Sequence, residues 1–238
     1  DFPFRSRHDA FRDNGQFNLA LEGIQRCKEL SVECSVAMCL MNTNYMYVTE
    51  MINFCRELEI NLRINVFKPV HTKEFTLSYT QFWEAIQSLL REATLISCSE
   101  PIVSLAIKDV QNKSLRAPCG THSLRIKPSG HVVPCVYMTD SSLTIDDLIA
   151  CAGDENKLKR ILVQCSCENF EIPEECLDCS YKDICGGGCV SRRILMGGNK
   201  PDSYCFIKQG DLQSIPAKWA ESKSALVHSD YLCTMIVK

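Results

Sequence analysis

Residues 176–189 read CLDCSYKDICGGGC, four cysteines within fourteen positions, and they belong to a longer series. Cys119 is followed after ten residues by Gly130 and after four more by Cys135. Cys176, Cys179, Cys185 and Cys189 then come at intervals of two, five and three residues, and Cys205 trails them. A structural zinc ion takes four ligands, so seven thiols divide badly among zinc sites, whereas they suit two iron–sulfur clusters of which one has an unusual fourth ligand. The Cx₂C pair brings two sulfurs to one centre through a tight turn. The glycines at 186–188 let the backbone approach closely and offer N–H groups to sulfur, which would tune a redox potential. Zinc is the alternative. Disulfides are disfavoured, because reducing cytosol keeps thiols free and a chain of 238 residues needs no covalent staples.

The elements that must position these thiols are of two textures. Residues 1–96 alternate amphipathic and apolar segments: a helix near 17–30, a strand at 32–40, a helix at 45–58, the strand NLRINVF at 61–67, and a helix at 80–94 carrying Phe82, Trp83, Ile86, Leu89 and Leu90. Apolar strands about thirty residues apart with helices between them indicate parallel βαβ units, a slice of an α/β layer or barrel. Two strands alone would leave edges unpaired, so further strands are expected from a preceding segment or from another chain. The opening DFPFRSRHDAFRDNGQF reads as a connecting loop and begins with aspartate, which predicts that something precedes it. From about residue 97 the rhythm stops. Residues 97–118 bridge to a cysteine-rich region at 119–210, whose HSLRIKPSGHVVPCVYM reads as a hairpin turning at PSG and whose sparse apolar content needs metal to fold. Residues 211–238 form a tail whose YLCTMIV is expected to pack back as a helix.

Composition excludes several classes. A formal net charge of −3 without like-charge runs argues against nucleic-acid and anionic-membrane partners, and no apolar run could span a bilayer or act as a secretion signal, so a cytoplasmic location is the default. Of the sixteen cysteines, Cys27 and Cys55 sit on helical apolar stripes, and Cys34, Cys39, Cys98, Cys151 and Cys233 stand apart from the pattern; all seven read as buried or bystander thiols.

The series C-x₁₀-G-x₄-C, C-x₂-C-x₅-C-x₃-C and a further Cys resembles the SPASM domain of radical S-adenosylmethionine (SAM) enzymes over residues 119–205. The stretch RHDAFRDNGQFNLALEGIQRCKELSVECSVAMCLMNTN likewise resembles part of a radical SAM partial (β/α)₆ barrel, with Asp1 ending the fourth strand, HDxFR in a loop, and 32–40 and 61–67 as strands five and six. The resemblance implies a fold of C-terminal barrel strands and helices followed by a small α+β domain holding two auxiliary 4Fe–4S clusters. It implies one cluster on Cys176, Cys179, Cys185 and Cys205 and another on Cys119, Cys135 and Cys189. The latter lacks the additional cysteine of fully ligated relatives, which leaves an iron open to substrate or to His122, His131, Cys165 or Cys167. Arg12, through bidentate contact with a carboxylate, and Asn42, after the fifth strand, are the candidate SAM contacts; a solvated loop residue and a helix cap with Thr43 and Asn44 are their plain alternatives. Lys68 and His71 read as surface loop.

Two departures bound the function. The CxxxCxxC triplet that holds the SAM-cleaving cluster is absent from the sequence, so SAM is a cofactor only if a separate polypeptide or a preceding segment supplies the front of the barrel. The acid that follows the second cysteine in anaerobic sulfatase-maturating members is Val136 here, which weighs towards the other peptide-modifying relatives. The reading is therefore the C-terminal portion of a radical SAM/SPASM oxidoreductase acting on a peptide or protein side chain, with a flavodoxin- or ferredoxin-type reductant implied by the resemblance. An iron–sulfur electron-transfer or peptide-docking protein without SAM cleavage, and a zinc-stabilised interaction module, are the alternatives.

Overall fold

The computed structural model describes residues 1–107, 119, 124–138, 141–166, 170–211, 214–220 and 234–238. Helices α1 (Arg5–Arg12) and α2 (Gln16–Glu29) precede strand β1 (Ser35–Leu40); helix α3 (Val48–Glu57) leads to β2 (Asn61–Val66); and α4 (Tyr79–Glu92) leads to β3 (Thr94–Cys98) and α5 (Pro101–Ala106). The segment read as a connecting loop thus contains α1, whose residues are all at least partly exposed, so no apolar stripe announced it.

β1 and β2 are parallel, with Ser35 opposite Asn61 and Leu40 opposite Val66, the expected βαβ pairing. Helix α3 buries Val48, Met51, Ile52 and Cys55, and α4 buries all five of its anticipated apolar residues behind a capping box in which Ser78 and Gln81 satisfy each other's backbone N–H. The stripe on α2 is different: Leu19 and Leu30 are exposed and Cys27 is only half-buried.

The tail overturns the helix expectation. Residues Thr234–Val237 form β7, antiparallel to both β2 and β3 at the centre of a five-stranded sheet ordered β1-β2-β7-β3-β6, with β6 at Lys218–Trp219. All four β7 residues are buried, as a strand covered on both faces requires, and a four-residue segment is too short to gain from helix formation but long enough to complete two ladders. The chain itself therefore supplies strands beyond β2. Cys185, Tyr204 and Phe206 join the same core, so the cysteine-rich region shares it.

That region is built from short pieces: the hairpin β4 (Arg125–Ile126) and β5 (Val132–Val133), then α6 (Ile145–Ile149), α7 (Glu155–Cys165), α8 (Lys182–Cys185) and α9 (Val190–Gly197). The hairpin turns as anticipated, with Gly130 at φ +81° donating its N–H to the Lys127 carbonyl, which explains the glycine of the C-x₁₀-G-x₄-C series. Among the described residues no helix is long and apolar enough to cross a membrane.

Candidate iron–sulfur sites

Cys176, Cys179, Cys185 and Cys205 line one pocket, floored by Leu105 and Ile207. A one-turn 3₁₀ helix ends at Cys176, its carbonyl accepts the Cys179 N–H at 3.0 Å, and α8 ends at Cys185, where Gly186 turns the chain in the left-handed region. The backbone N–H groups of Gly187 and Gly188 are directed at the Cys185 sulfur, and those of Lys208 and Ile207 at the Cys205 sulfur. Burial pushes the Cys185 thiol up to about 12, with Asp202 and Cys205 adding and the two glycine N–H groups opposing; Cys176 and Cys205 are raised by burial as well. Among the described residues no three or more Cys, His, Asp or Glu side chains form a group that could hold a single metal ion.

Cys119, Cys135 and Cys189 form a second sulfur group, packed with Met138 and Val190. A hydrogen bond from Cys119 lowers the Cys135 thiol to about 6 against the effect of burial, aided by the Tyr137 backbone N–H and the Ser191 hydroxyl. The Cys189 sulfur lies 3.3 Å from Ser191 Oγ and 3.0 Å from Lys68 Nζ. Lys68 corrects the surface-loop reading. It is 6 % exposed, buried by the cysteine-rich region that folds over the end of β2, a contact 121 residues distant that no local pattern announces. His71 is exposed.

Of the other suggested ligands, His131 and Cys165 find partners elsewhere. His131 is exposed on the hairpin turn with Nδ1 3.1 Å from Ser129 Oγ. Cys165 lines a groove with Pro134 and Asp147, its sulfur 3.9 Å from the Val132 carbonyl. His122 and Cys167 lie outside the described residues. Val136 is exposed.

Between the two sulfur groups runs a buried charge network that sequence reading missed. Arg192, 1 % exposed, donates Nε to Asp202 Oδ1 at 2.8 Å and Nη2 to Glu100 Oε1 at 2.7 Å, and Nη2 also contacts Asp202 Oδ2. Its guanidinium lies 4.7 Å from the centre of the Tyr204 ring, which stacks on Phe82. Burial opposes the Arg192 charge, but the two carboxylates outweigh it and raise its pKa well above the ordinary value. Asp202 also accepts the Cys189 N–H at 2.9 Å and the Tyr204 N–H at 3.1 Å, so one carboxylate fixes the backbone beside both sulfur groups. This explains the glycines: a Cβ on Gly188 would stand 2.4 Å from Asp202 Cβ, and one on Gly187 2.6 Å from Pro173 Cδ.

At the same C-terminal end of β1 and β2, Arg12 Nη2 pairs with Asp1 Oδ2 at 2.6 Å, while Asp1 Oδ1 accepts the Cys39 N–H of β1 at 2.9 Å. Asn42 donates from its side chain to the Glu74 carbonyl at 2.7 Å, and its Oδ1 is buried without a hydrogen-bond partner among the described residues. The helix-cap alternative for Asn42 does not hold. Asn44 is the structural asparagine, fully buried, accepting the Met41 N–H at 2.7 Å and donating to the Cys39 and Asp1 carbonyls.

No family model and no curated protein matches the chain. Solved structures do. Native anSMEcpe with bound AdoMet, an anaerobic sulfatase-maturating enzyme of the radical SAM/SPASM type, is similar with a TM-score of 0.55 at 14 % identity over 81 % of this chain and 57 % of that one. Native anSMEcpe with bound AdoMet and the Kp18Cys peptide gives 0.55 at 16 % over 81 % and 58 %, and the complex with the Cp18Cys peptide gives 0.53 at 15 % over the same shares. The chain spans less than three fifths of these relatives. At such identities the likeness is one of fold alone: a mixed α/β arrangement similar to that of anSMEcpe over 81 % of the chain.

Proposed function

We propose that the chain is the C-terminal portion of a radical SAM/SPASM oxidoreductase that modifies a peptide or protein side chain and carries two auxiliary 4Fe–4S clusters. The observation that carries this reading is the gathering of Cys176, Cys179, Cys185 and Cys205 around one pocket, with Cys119, Cys135 and Cys189 grouped separately, on this fold. Clusters at these positions would supply one-electron transfer and, at the three-cysteine centre, an iron open to a substrate atom.

The chain's own residues then have defined tasks. Gly187, Gly188, Ile207 and Lys208 donate backbone N–H groups that offset thiolate charge at the four-cysteine centre. Asp202 and Arg192 hold the two centres in fixed relation, and Leu105 and Ile207 limit water. Arg12 is the candidate for the SAM carboxylate and Asn42 for a polar SAM contact, and Arg12 must exchange its Asp1 partner to serve. Peptide substrates in the anSMEcpe complexes support a peptide as the partner. The test is to produce the chain anaerobically together with a polypeptide carrying CxxxCxxC and the first barrel strands, with SAM and a low-potential reductant. Deoxyadenosine released by the pair but not by the chain alone is the expected result; none from the pair while both hold iron would overturn the reading.

A further inference from the structure

Two residues beyond β2 the chain buries the Lys68 amine, whereas Val70 and His71, past the buried Pro69, are exposed. An amine is buried only where anions or strong acceptors receive it, because the desolvation of an unpaired charge is prohibitive. Lys68 meets the Cys189 sulfur at 3.0 Å, and the Glu100 carboxylate and the half-buried Tyr137 are close enough to feel its charge. Glu100 is already engaged by two nitrogens of Arg192. The lysine presents its amine to the three-cysteine group from the end of β2. At the four-cysteine group the donors directed at Cys185 and Cys205 are backbone N–H groups, Lys182 gives its ammonium to the Leu177 carbonyl at 3.0 Å, and Lys208 and Arg193 bear on Cys176 through charge alone.

Resting on the reading of Cys119, Cys135 and Cys189 as a cluster site, we propose that Lys68 is a positioning residue for that centre, fixing the Cys189 sulfur and favouring its reduced state. A cluster held there, on taking one electron from a low-potential donor, would gain one negative charge as the donor lost it. The ammonium offsets that charge, so no proton need bind. A unit charge within about 5 Å at an effective dielectric near 20 is strong enough to move a reduction equilibrium by at least about tenfold.

The test is an anaerobic redox titration of the full chain read by electron paramagnetic resonance, with iron content measured on each sample. At the potential where the wild-type three-cysteine centre is half reduced, Lys68→Met is expected to lower its ratio of reduced to oxidised centre at least about tenfold, equivalent to about 59 mV for one electron, while the other centre is unmoved. Lys68→Arg, which keeps the charge, should stay within about threefold of wild type on the same scale. An unmoved ratio in an iron-loaded Lys68→Met protein overturns this inference alone. So does an equal fall in both variants, or loss of that centre's iron in Lys68→Met. A wild-type chain that takes up no iron overturns the cluster reading and this inference together.

Discussion

Replacing Gly188 by alanine tests whether the glycine run exists to let the backbone meet Asp202. Gly188 has φ +91°, and a Cβ there would stand 2.4 Å from Asp202 Cβ, 2.6 Å from Oδ2 and 2.9 Å from Cγ. Asp202 is 3 % exposed and has nowhere to go: its oxygens hold Arg192 and the N–H groups of Cys189 and Tyr204. Gly153, at φ +86° with nothing within 4 Å of its would-be Cβ, supplies the control, because an alanine there meets only the backbone penalty of about 1–2 kcal/mol. Gly188→Ala incurs that penalty plus overpacking of about 1–3 kcal/mol, or, if Asp202 yields instead, part of the about 3–5 kcal/mol of a broken buried ion pair. The clash is therefore worth about 2–4 kcal/mol over the control. For a chain of this size that is a Tm lower than that of Gly153→Ala by about 4–16 °C, read by circular dichroism on anaerobically purified protein. Two variants melting within about 2 °C of each other would refute the claim that Asp202 and the glycine backbone are locked together.

Three further outcomes follow from the same contacts. Arg192→Met leaves Glu100 and Asp202 buried without their shared cation and should lower stability by about 3–5 kcal/mol in urea unfolding, with Arg192→Lys rescuing little because one ammonium cannot span both carboxylates. Removing residues 234–238 takes out the central strand and exposes the facing edges of β2 and β3, so the shortened chain should appear in the aggregated fraction on size-exclusion chromatography; a soluble monomer would contradict the topology. In iodoacetamide mapping by mass spectrometry, the seven pattern cysteines should be protected in anaerobically purified protein and become reactive after chelation, while half-buried Cys27 and Cys34 react in both; protection unchanged by chelation would count against metal at those sulfurs.

What was legible in the sequence follows the range of the interactions. The helical spacing of Val48, Met51, Ile52 and Cys55 and of Phe82 through Leu90 located α3 and α4, and the short apolar runs located β1 and β2, because these patterns are local records of a buried face. The hairpin was legible through its turn, since Gly130 must reach a positive φ. Cys176, Cys179, Cys185 and Cys205 line one pocket, and Cys119, Cys135 and Cys189 pack in another cluster. The rest depends on distant partners. Thr234–Val237 is a strand because β2 and β3 lie open on either side of it, and nothing within four residues encodes that. Lys68 follows a strand and precedes a proline, as loop lysines do; its contact with Cys189, 121 residues on, lies beyond any local pattern. Arg192 likewise depends on Glu100, 92 residues away, so its charge signalled exposure when its surroundings meant burial.

The central claim is that these seven sulfurs hold iron. Iron, acid-labile sulfide and zinc measured on the chain purified without oxygen decide it most directly. The account predicts about eight irons and eight sulfides per chain, falling by about half in Cys205→Ala, with no stoichiometric zinc. A colourless protein without iron, or one with a zinc ion per four cysteines, would contradict it.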